Sequence, residues 1–462
     1  MMSRISDTSP QKTDVFGHPR GLIFLAMTEM WDRFSYFSMR AVLVLYMAKY
    51  LFEPPQIESV FGYAAVKGAL EFFAGPLSTQ ALASNIFGLY TGLAYLTPLI
   101  GGLLADRLLG QRATVVMGAV LMSSGQFMLV VDSLFFLGLL TLILGNGAFR
   151  PNTLAQVGAL YAPGDTRRDR AFLIVLIGGQ VGAGLAPFIS LTLVVSLGLR
   201  YGFASAGVGM LIALVVYLAA LPTLPIDELR KAKTAGEKTK PLGRNERRAV
   251  LTLIMLFLAV ILFRAAYGQQ GNTISLWAND CNDRTINLLF WSGEIPVIFF
   301  PALAGLIAFA LPLLVIRLWA WQGKHGSDPS SIAKVAIGCF CLAFSFLVMV
   351  VVAWLADYGG ASSLWLIGFL VLVAFGELCV WAAGLSLVSQ VAPARAVSLI
   401  MGLWLATVFI GDVIAGWFDG LWGKTDDANL LFLMATLAMA AGVVVTLLSR
   451  PLKSIVEQRA VR

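Results

Sequence analysis

The amino-acid sequence predicts an all-α membrane protein whose twelve transmembrane helices form two bundles of six. Of its 462 residues, 58% are hydrophobic and 13% are charged, whereas soluble domains average about 25% charged residues. Apolar runs of the roughly 20 residues that a membrane helix needs recur along the chain. This composition excludes a soluble multidomain enzyme and a disordered protein, and four cysteines are too few for a disulfide scaffold.

The apolar runs define the candidate spans, with ends uncertain by about 2–4 residues. The first six are 21–47, 82–105, 113–131, 133–160, 170–198 and 202–222. The second six are 249–278, 291–320, 332–356, 364–391, 396–422 and 428–449. Eight Lys or Arg and two prolines between the two sets predict a solvated basic linker. The expected organisation is a tail at 1–20, a bundle at 21–222, the linker at 223–248, a bundle at 249–449 and a tail at 450–462.

The basic residues are distributed unevenly between the two sides of the predicted membrane. With both termini on one side, that side holds 24 of the 33 Lys and Arg, and the opposite loops hold five. The positive-inside rule therefore predicts a multi-pass protein of the cytoplasmic membrane, with both termini cytoplasmic. The net charge of +7 is spread over separate loops, which makes the lipid bilayer the expected partner and excludes nucleic acid. The first 20 residues lack a signal-peptide pattern, so we expect the first span to direct insertion.

Ionisable side chains inside the spans give the strongest functional signal, because each costs at least about 2.5–3.5 kcal/mol at the bilayer centre. In the first span, Glu29, Asp32, Arg33 and Tyr36 follow helical spacing and predict an acid–acid–base–phenol stripe along one face. The stripe carries more carboxylate than neutral pairing requires. A surplus carboxyl in a low-dielectric site can take up a proton near physiological pH, as a proton-coupled carrier needs.

Two more charged residues point to a binding site between the halves. Arg150 precedes Pro151 in the fourth span, and the proline predicts a kink beside a buried charge, as in transporter sites. Glu377 lies in the tenth span without a local cation. It can pair with Arg150 or Arg264 across the cavity, or receive a cationic group of the substrate.

The remaining charged span residues favour structural roles. Arg264 and Asp412 are expected to pair, and Arg40 is expected to snorkel toward the end of the first span. Neither a metal site nor a catalytic site is expected, because His18 and His325 both lie in inner segments and no nucleophile or phosphate-loop motif occurs. We therefore expect no cofactor other than protons as the coupling ion, and no enzymatic activity.

Motifs in order along most of the chain resemble one transporter family. The first span reads EMWDRFSYF at 29–37, against the family pattern ExxERFxYY. GGLLADRLLG at 101–110 is similar to the gating motif of a larger superfamily, and RPN at 150–152 stands where the family has KPN. QQG at 269–271 and GEL at 376–378 complete the series. The chain thus resembles the proton-dependent oligopeptide transporters, a branch of the major facilitator superfamily.

The resemblance implies the major facilitator fold, in which two six-helix bundles rock about a central site. It also implies proton-coupled symport of di- and tripeptides or closely related peptide-like solutes, with a monomer sufficient. The implied roles concern coupling, substrate binding and gating. Glu29, Asp32 and Arg33 would couple protons; Arg33 and Arg150 would face the peptide carboxylate and Glu377 its amino group; Tyr36, Tyr95 and Gln180 would line the pocket; Asp106, able to cap a neighbouring helix, and Arg107 would form the gate.

Departures from the family pattern fall around the substrate pocket. Asp32 replaces a glutamate, Phe37 a tyrosine, Arg150 a lysine and Gly268 an acid, and Gln180 stands in place of an asparagine. These changes predict retained proton coupling with a narrower or shifted substrate range. They leave open a carrier of the same fold for another small solute, such as a modified amino acid or a peptide-like natural product. Two functions of a different class, a polytopic membrane enzyme and a non-transporting sensor, also stay open.

Overall fold

A computed structural model describes residues 14–15, 17–162, 164–227, 243–271, 285–288, 291–294, 299–356, 364–421 and 427–460. The first half contains β1 (Asp14–Val15), β2 (His18–Pro19), α1 (Arg20–Tyr46), α2 (Tyr63–Ala74), α3 (Thr79–Leu96), α4 (Pro98–Leu104), α5 (Gln111–Met128), α6 (Phe135–Ala159), α7 (Arg167–Leu197) and α8 (Arg200–Ala220). The second half contains α9 (Arg244–Gly268), β3 (Thr285–Leu288), β4 (Trp291–Glu294), α10 (Phe299–Lys324), α11 (Ser331–Ala356), α12 (Leu364–Leu378), α13 (Gly384–Val391), α14 (Val397–Asp419), α15 (Asp427–Leu447) and α16 (Ser449–Ala460).

The helices fall at the positions of the predicted spans. Among the described residues, ten helical stretches are long and apolar enough to cross a membrane. The predicted spans 1 and 3 correspond to α1 and α5, which are not among these ten. Charge lowers the hydropathy of α1, since its sequence includes two acids and two arginines besides the one at its start. The all-α membrane fold is therefore confirmed, and the count of twelve spans is consistent with it.

Helix packing repeats between the two halves. In the first half, α1 packs against α7 and α8, while α5 packs against α6 and α8. In the second half, α9 packs against α14 and α15, while α11 packs against α12 and α15. The same pairs of positions thus meet in each set of six spans, as expected for two related bundles.

Apolar side chains cover the outside of the bundles as well as their cores. Phe188, Val195 and Trp417 are 76%, 78% and 83% exposed, on helices whose other faces are buried. So many large exposed apolar residues would be unfavourable in water and mark a lipid-facing surface.

The boundaries of the linker and the tails differ from the prediction. Helix α9 begins at Arg244, inside the predicted linker 223–248, where the Glu246 side chain accepts a hydrogen bond from the backbone N–H of Gly243 and caps the first turn. The start of that linker packs on the first half: the Arg112 side chain donates to the backbone oxygens of Leu224 and Pro225. Less of 223–248 is therefore left for a linker than predicted, and residues 228–242 lie outside the described ranges.

The predicted C-terminal tail 450–462 is helical as far as residue 460, since α16 continues almost directly from α15. Predicted span 8 begins later than expected: 291–294 forms a strand that pairs with Thr285–Leu288, and the helix begins at Phe299. Tail residues 1–13, the end of predicted span 7 at 272–278, and Cys281 and Ile295 lie outside the described ranges.

The two ends of the helix bundles are named after the segments that lie there. The linker end is the end at which α8 ends and α9 begins, and the hairpin end is the end at which β3 and β4 lie. Helix α1 runs from the linker end to the hairpin end, and so do α7, α9 and α14.

Candidate functional site

A cavity of about 440 Å³ lies between the two halves. The first half contributes four of its charged side chains, and the second half contributes two. They are Glu29, Arg33, Arg40 and Arg150 from α1 and α6, and Arg264 and Glu377 from α9 and α12. The rest of the wall is mostly apolar and includes Phe37, Phe172 and Trp381. A cavity with convergent charges on apolar walls is the usual form of a small-molecule site.

One carboxylate holds two arginines on the wall of the first half. The Nε of Arg33 donates to Oε1 of Glu29 at 2.8 Å, from one turn along the same helix. The guanidinium of Arg150 approaches the same oxygen at 3.7 Å. Glu29 and Arg150 are each 9% exposed, so the cluster is shielded from bulk solvent and its electrostatic interactions are strong.

The predicted stripe on α1 is divided between two chambers. Glu29 lines the central cavity, whereas Asp32 and Tyr36 line a smaller chamber of about 20 Å³ inside the first half, with Arg33 bordering both. Residues three positions apart differ by about 60° around a helix, so Glu29 and Asp32 can line different chambers. The predicted stripe is thus split between two neighbouring chambers, and Tyr36 lines the smaller one together with Tyr95 and Arg150.

The smaller chamber contains polar groups that the sequence analysis did not single out. Tyr90, Gln126 and Asn146 line it together with Asp32. Oδ1 of Asp32 and Oε1 of Gln126 are buried without a hydrogen-bond partner among the described residues. The chamber has room for about one water molecule, which would satisfy such groups.

Tyr95 and Gln180 are placed as predicted, on the wall of the central cavity. Tyr95 borders the smaller chamber as well. Helix α6 runs through Pro151 without interruption, so the proline does not break the helix beside Arg150.

The wall of the second half carries a cluster built around Glu377. Arg264 contacts Glu377 at 3.8 Å and Asp412 at 2.8 Å, and so lies between two carboxylates. The Tyr267 hydroxyl donates to the other oxygen of Glu377 at 2.5 Å. The expected pairing of Arg264 with Asp412 is confirmed, and so is one of the two partners predicted for Glu377.

The role of Tyr267 was missed in the sequence, although its position three residues after Arg264 places both on one face of α9. A π-helical turn at Cys379–Ala383 begins two residues after Glu377 and separates α12 from α13. Such turns are frequent at functional sites, because they redirect side chains within an otherwise regular helix.

Most of the chain matches one known protein family. The model described as the POT family matches residues 112–225 and 226–447. The chain belongs to the POT family. The peptide transporter YePEPT of Yersinia enterocolitica is 30% identical to it over 92% of each chain. A di-/tripeptide transporter of Lactococcus lactis is 27% identical over 95% of this chain and 96% of that protein.

Solved structures of POT-family transporters share the fold. A mutant peptide transporter in complex with alafosfalin is 26% identical, with a TM-score of 0.59 and 96% of both chains covered. A POT family transporter in complex with 5-aminolevulinic acid is 25% identical, with a TM-score of 0.62 over 95% of this chain and 98% of that one. The predicted family and major facilitator fold are confirmed.

The halves of this POT-family chain are joined at the linker end by the predicted gating segment. Asp106 accepts hydrogen bonds from the backbone N–H groups of Ser398 and Leu399, at 3.3 and 2.8 Å. It thereby caps the first turn of α14, where a negative charge is favourable. Arg107, predicted with it, is exposed. Gln111 also donates to Ser398, at 3.0 Å, and was missed.

A second connection at the linker end, which we call the linker-end tie, was also missed in the sequence. It consists of Asp169 at the start of α7, and Ser331 and Lys334 at the start of α11. Lys334 Nζ and Ser331 Oγ donate to Asp169 at 2.8 and 2.7 Å. Lys334 is only 2% exposed and also contacts Asp328 at 2.8 Å. An ion pair buried between the halves holds them together at this end.

The linker end is closed more tightly still by backbone contact. A Cβ on Gly102 would collide with the backbone of Ser398, and one on Gly402 would collide with that of Pro98. Helices α4 and α14 therefore cross in direct contact, which only glycine permits. The transporter is thus closed at its linker end, while Glu377 and Asp412 keep side chains that are 38% and 47% exposed.

The described histidines and cysteines of the transporter form no metal site. Within the described ranges, no group of three or more His, Cys, Asp or Glu side chains is arranged to hold a metal ion. His18 instead hydrogen-bonds Tyr161 at 2.8 Å, next to the start of α1.

Proposed function

We propose that the protein couples proton entry to the uptake of di- and tripeptides, or of closely related peptide-like solutes, across the cytoplasmic membrane. The observation that supports this most strongly is the separation of charge across one cavity. Arg33 and Arg150 lie on one wall, and Glu377 lies on the other. Every unmodified peptide presents a carboxylate and an ammonium group, which match these two walls. The apolar remainder of the cavity suits variable side chains.

Proton coupling would follow from the carboxylate that Arg33 and Arg150 share. Because both arginines contact Glu29, a substrate carboxylate must compete with it for them. A proton that binds to Glu29 neutralises this acid and frees the arginines for the substrate. Arg150 keeps its charge throughout, since a guanidinium does not deprotonate in proteins. The proton would therefore be carried by one of the two acids of α1, Glu29 or Asp32.

The closed linker end indicates which side of the membrane the cavity faces. The bias of Lys and Arg toward the side of the termini and linker places that side in the cytoplasm. The structure then corresponds to an outward-facing carrier, with the linker-end tie and the Asp106 cap as its cytoplasmic closure. Rocking of the two halves would break these contacts and release substrate inside. A monomer suffices, because one chain forms the whole site.

A second candidate substrate class is a small amino-acid-like solute that is not a peptide. The POT family transporter in complex with 5-aminolevulinic acid supports this candidate, since that ligand also carries one amino and one carboxyl group. The replacement of the family's helix 5 asparagine by Gln180 also alters the wall that a peptide would contact.

Uptake into proteoliposomes with an inward acid gradient tests the proposal. Labelled Ala-Ala, Ala-Ala-Ala, 5-aminolevulinic acid and free alanine are compared, each with and without the gradient. We expect gradient-driven accumulation of at least one peptide and little uptake of alanine. Accumulation of 5-aminolevulinic acid alone would favour the second candidate. Binding of peptides without any accumulation would contradict transport and indicate a sensor.

A further inference from the structure

Arg264, on the wall of the second half, lies unequally between its two acids. Its guanidinium donates a hydrogen bond to Oδ1 of Asp412 at 2.8 Å, whereas it lies 3.8 Å from Oε1 of Glu377. The longer distance exceeds that of a hydrogen bond. Asp412 is not among the described residues that line the cavity. It therefore holds Arg264 from outside the substrate site.

Close packing of α9 and α14 fixes the α14 carboxylate at this position. A Cβ on Gly411 would lie 2.3 Å from the Cβ of Arg264, and one on Gly268 would lie 2.5 Å from the Cβ of Ala415. The two helices thus touch at adjacent turns, where glycine leaves the necessary room. The Gln269 side chain adds a hydrogen bond to the backbone oxygen of Ala415, at 2.7 Å. The acid that follows Gly411 is therefore brought to Arg264 by direct contact between the helices.

The charges of the second-half wall do not balance. Glu377 and Asp412 contribute two negative charges and Arg264 contributes one positive charge, so the cluster keeps one negative charge in excess. Without Asp412, Arg264 would neutralise Glu377, and the wall would lose its attraction for an ammonium group. Such a change in charge has a large effect in a site shielded from bulk water. The Glu377 side chain is 38% exposed, so a substrate can reach it.

We propose that Asp412 is a positioning residue for recognition of the substrate amino group. It draws Arg264 away from Glu377 and thereby keeps the Glu377 carboxylate available to an ammonium group. This inference rests on the proposed transport of peptides, in which Glu377 receives the amino end. It adds that the selectivity for a free amino group is set by a residue outside the cavity wall.

The ligands Ala-Ala and propionyl-alanine isolate this effect, because the second lacks only the amino group of the first. Equilibrium binding of each to purified protein gives the amino-group preference, which is the ratio of the two dissociation constants. In Asp412→Asn, Arg264 can form a full ion pair with Glu377. We therefore expect the preference to fall about tenfold, as on loss of a hydrogen bond to a charged group, while the affinity for propionyl-alanine is unchanged. Asp412→Glu keeps the charge and should retain most of the preference.

Removal of the arginine as well separates positioning from a purely structural role. In the double variant Arg264→Gln/Asp412→Asn, Arg264 can no longer neutralise Glu377, and the amino-group preference should return. A second substitution at the same helix contact would not repair damaged packing. Asp419→Asn is the matched control, since it removes the same charge from α14 about two turns away, where Asp419 contacts Gln269. It should leave the preference unchanged.

The outcomes distinguish this inference from the function on which it rests. An undiminished preference in Asp412→Asn, or a loss that the double variant does not restore, would overturn the positioning role of Asp412. Wild-type protein that binds Ala-Ala and propionyl-alanine equally well would instead overturn the recognition of the amino group by Glu377, and with it the charge match behind the proposed function.

Discussion

Glu29 occupies the central position at the scale of single residues, because one of its oxygens holds arginines from two helices. Glu377 has the corresponding position on the other wall, where Arg264 and Tyr267 hold its two oxygens. Each acid is therefore engaged before substrate arrives. Substrate binding must replace existing contacts, and this links the occupancy of the site to the protonation and position of the acids.

Replacing Glu29 by Gln should abolish proton-driven accumulation. The amide cannot bind a proton and no longer holds Arg33 and Arg150 by charge. Exchange of peptide across the membrane without a gradient should persist, because both arginines remain. Proteoliposome uptake with and without the acid gradient measures the difference. Glu58→Gln, at an exposed position outside the cavity, is the control. Unchanged accumulation in Glu29→Gln would mean that Glu29 does not carry the coupled proton.

The hydrogen bond from Tyr267 to Glu377 should tune recognition of the substrate amino group. In Tyr267→Phe, Glu377 loses a neutral donor but keeps Arg264. We therefore expect the KM for Ala-Ala to change by a few-fold, consistent with about 1 kcal/mol for such a bond. Glu377→Gln should raise it further, and neither variant should alter inhibition by N-acetylated peptides. Competition assays with free and N-acetylated Ala-Ala measure this. Equal effects on both peptides would place the amino group elsewhere.

At the scale of elements, the crossing of α4 and α14 determines how closely the halves approach at the linker end. Gly102 and Gly402 allow the two backbones to touch, and Asp106 caps α14 beside them. Because these contacts lie between the halves, they must separate for substrate to leave on that side. We therefore expect the glycine contacts and the Asp106 cap to separate together when the linker end opens.

A methyl group at Gly402 should prevent this close approach. Overpacking of this kind typically costs about 1–3 kcal/mol, and here the cost falls on the state closed at the linker end. Gly402→Ala should therefore reduce uptake. It should also increase the reaction of a cysteine introduced near the crossing with a thiol reagent added on the linker side. Gly416→Ala on the same helix has nothing within 4 Å of the added carbon and should behave as wild type. Normal labelling in Gly402→Ala would contradict the packing argument.

At the scale of the whole molecule, the linker-end tie connects the two halves through buried charges. Lys334 belongs to the second half and Asp169 to the first, whereas Asp328 belongs to the same half as Lys334. The ring of Trp319 lies 4.2 Å from the Lys334 ammonium. Of the two ion pairs that Lys334 forms, only the one with Asp169 joins the halves, so Asp169 and Asp328 should have separable effects on conformation.

Lys334→Met should destabilise the closed linker end, because it leaves the Asp169 carboxylate buried without its counterion. Breaking a buried pair in this way costs about 3–5 kcal/mol. We expect a lower melting temperature, reduced uptake and increased access to the cavity from the linker side. Asp328→Asn removes a charge from the same cluster without cutting the connection between the halves, and should leave access unchanged. Equal access in both variants would indicate that the tie does not control the conformation.

Much of the site followed from the sequence because a charge inside an apolar span is conspicuous. Glu29, Arg33, Arg150 and Glu377 were found in this way, and all four line one cavity. Tyr267 and Lys334 were missed, since a tyrosine near a helix end and a charge near the membrane surface have ordinary composition there. Their significance comes from partners that lie 110 and 165 positions away in the chain, which no local pattern contains.

The sequence alone determined that this protein crosses a membrane many times, in two groups of spans, with acids and arginines placed where they must be paired. Hydropathy and charge indicate whether a segment lies in lipid or in water, and both are local properties of the sequence. Only the tertiary structure decided that Asp32 and Glu29 occupy separate chambers and that Arg264 lies closer to Asp412 than to Glu377. It also decided that the linker end is closed by Asp169 and Lys334. These outcomes depend on how helices pack against each other, because packing fixes which distant side chains meet and which charges are left over.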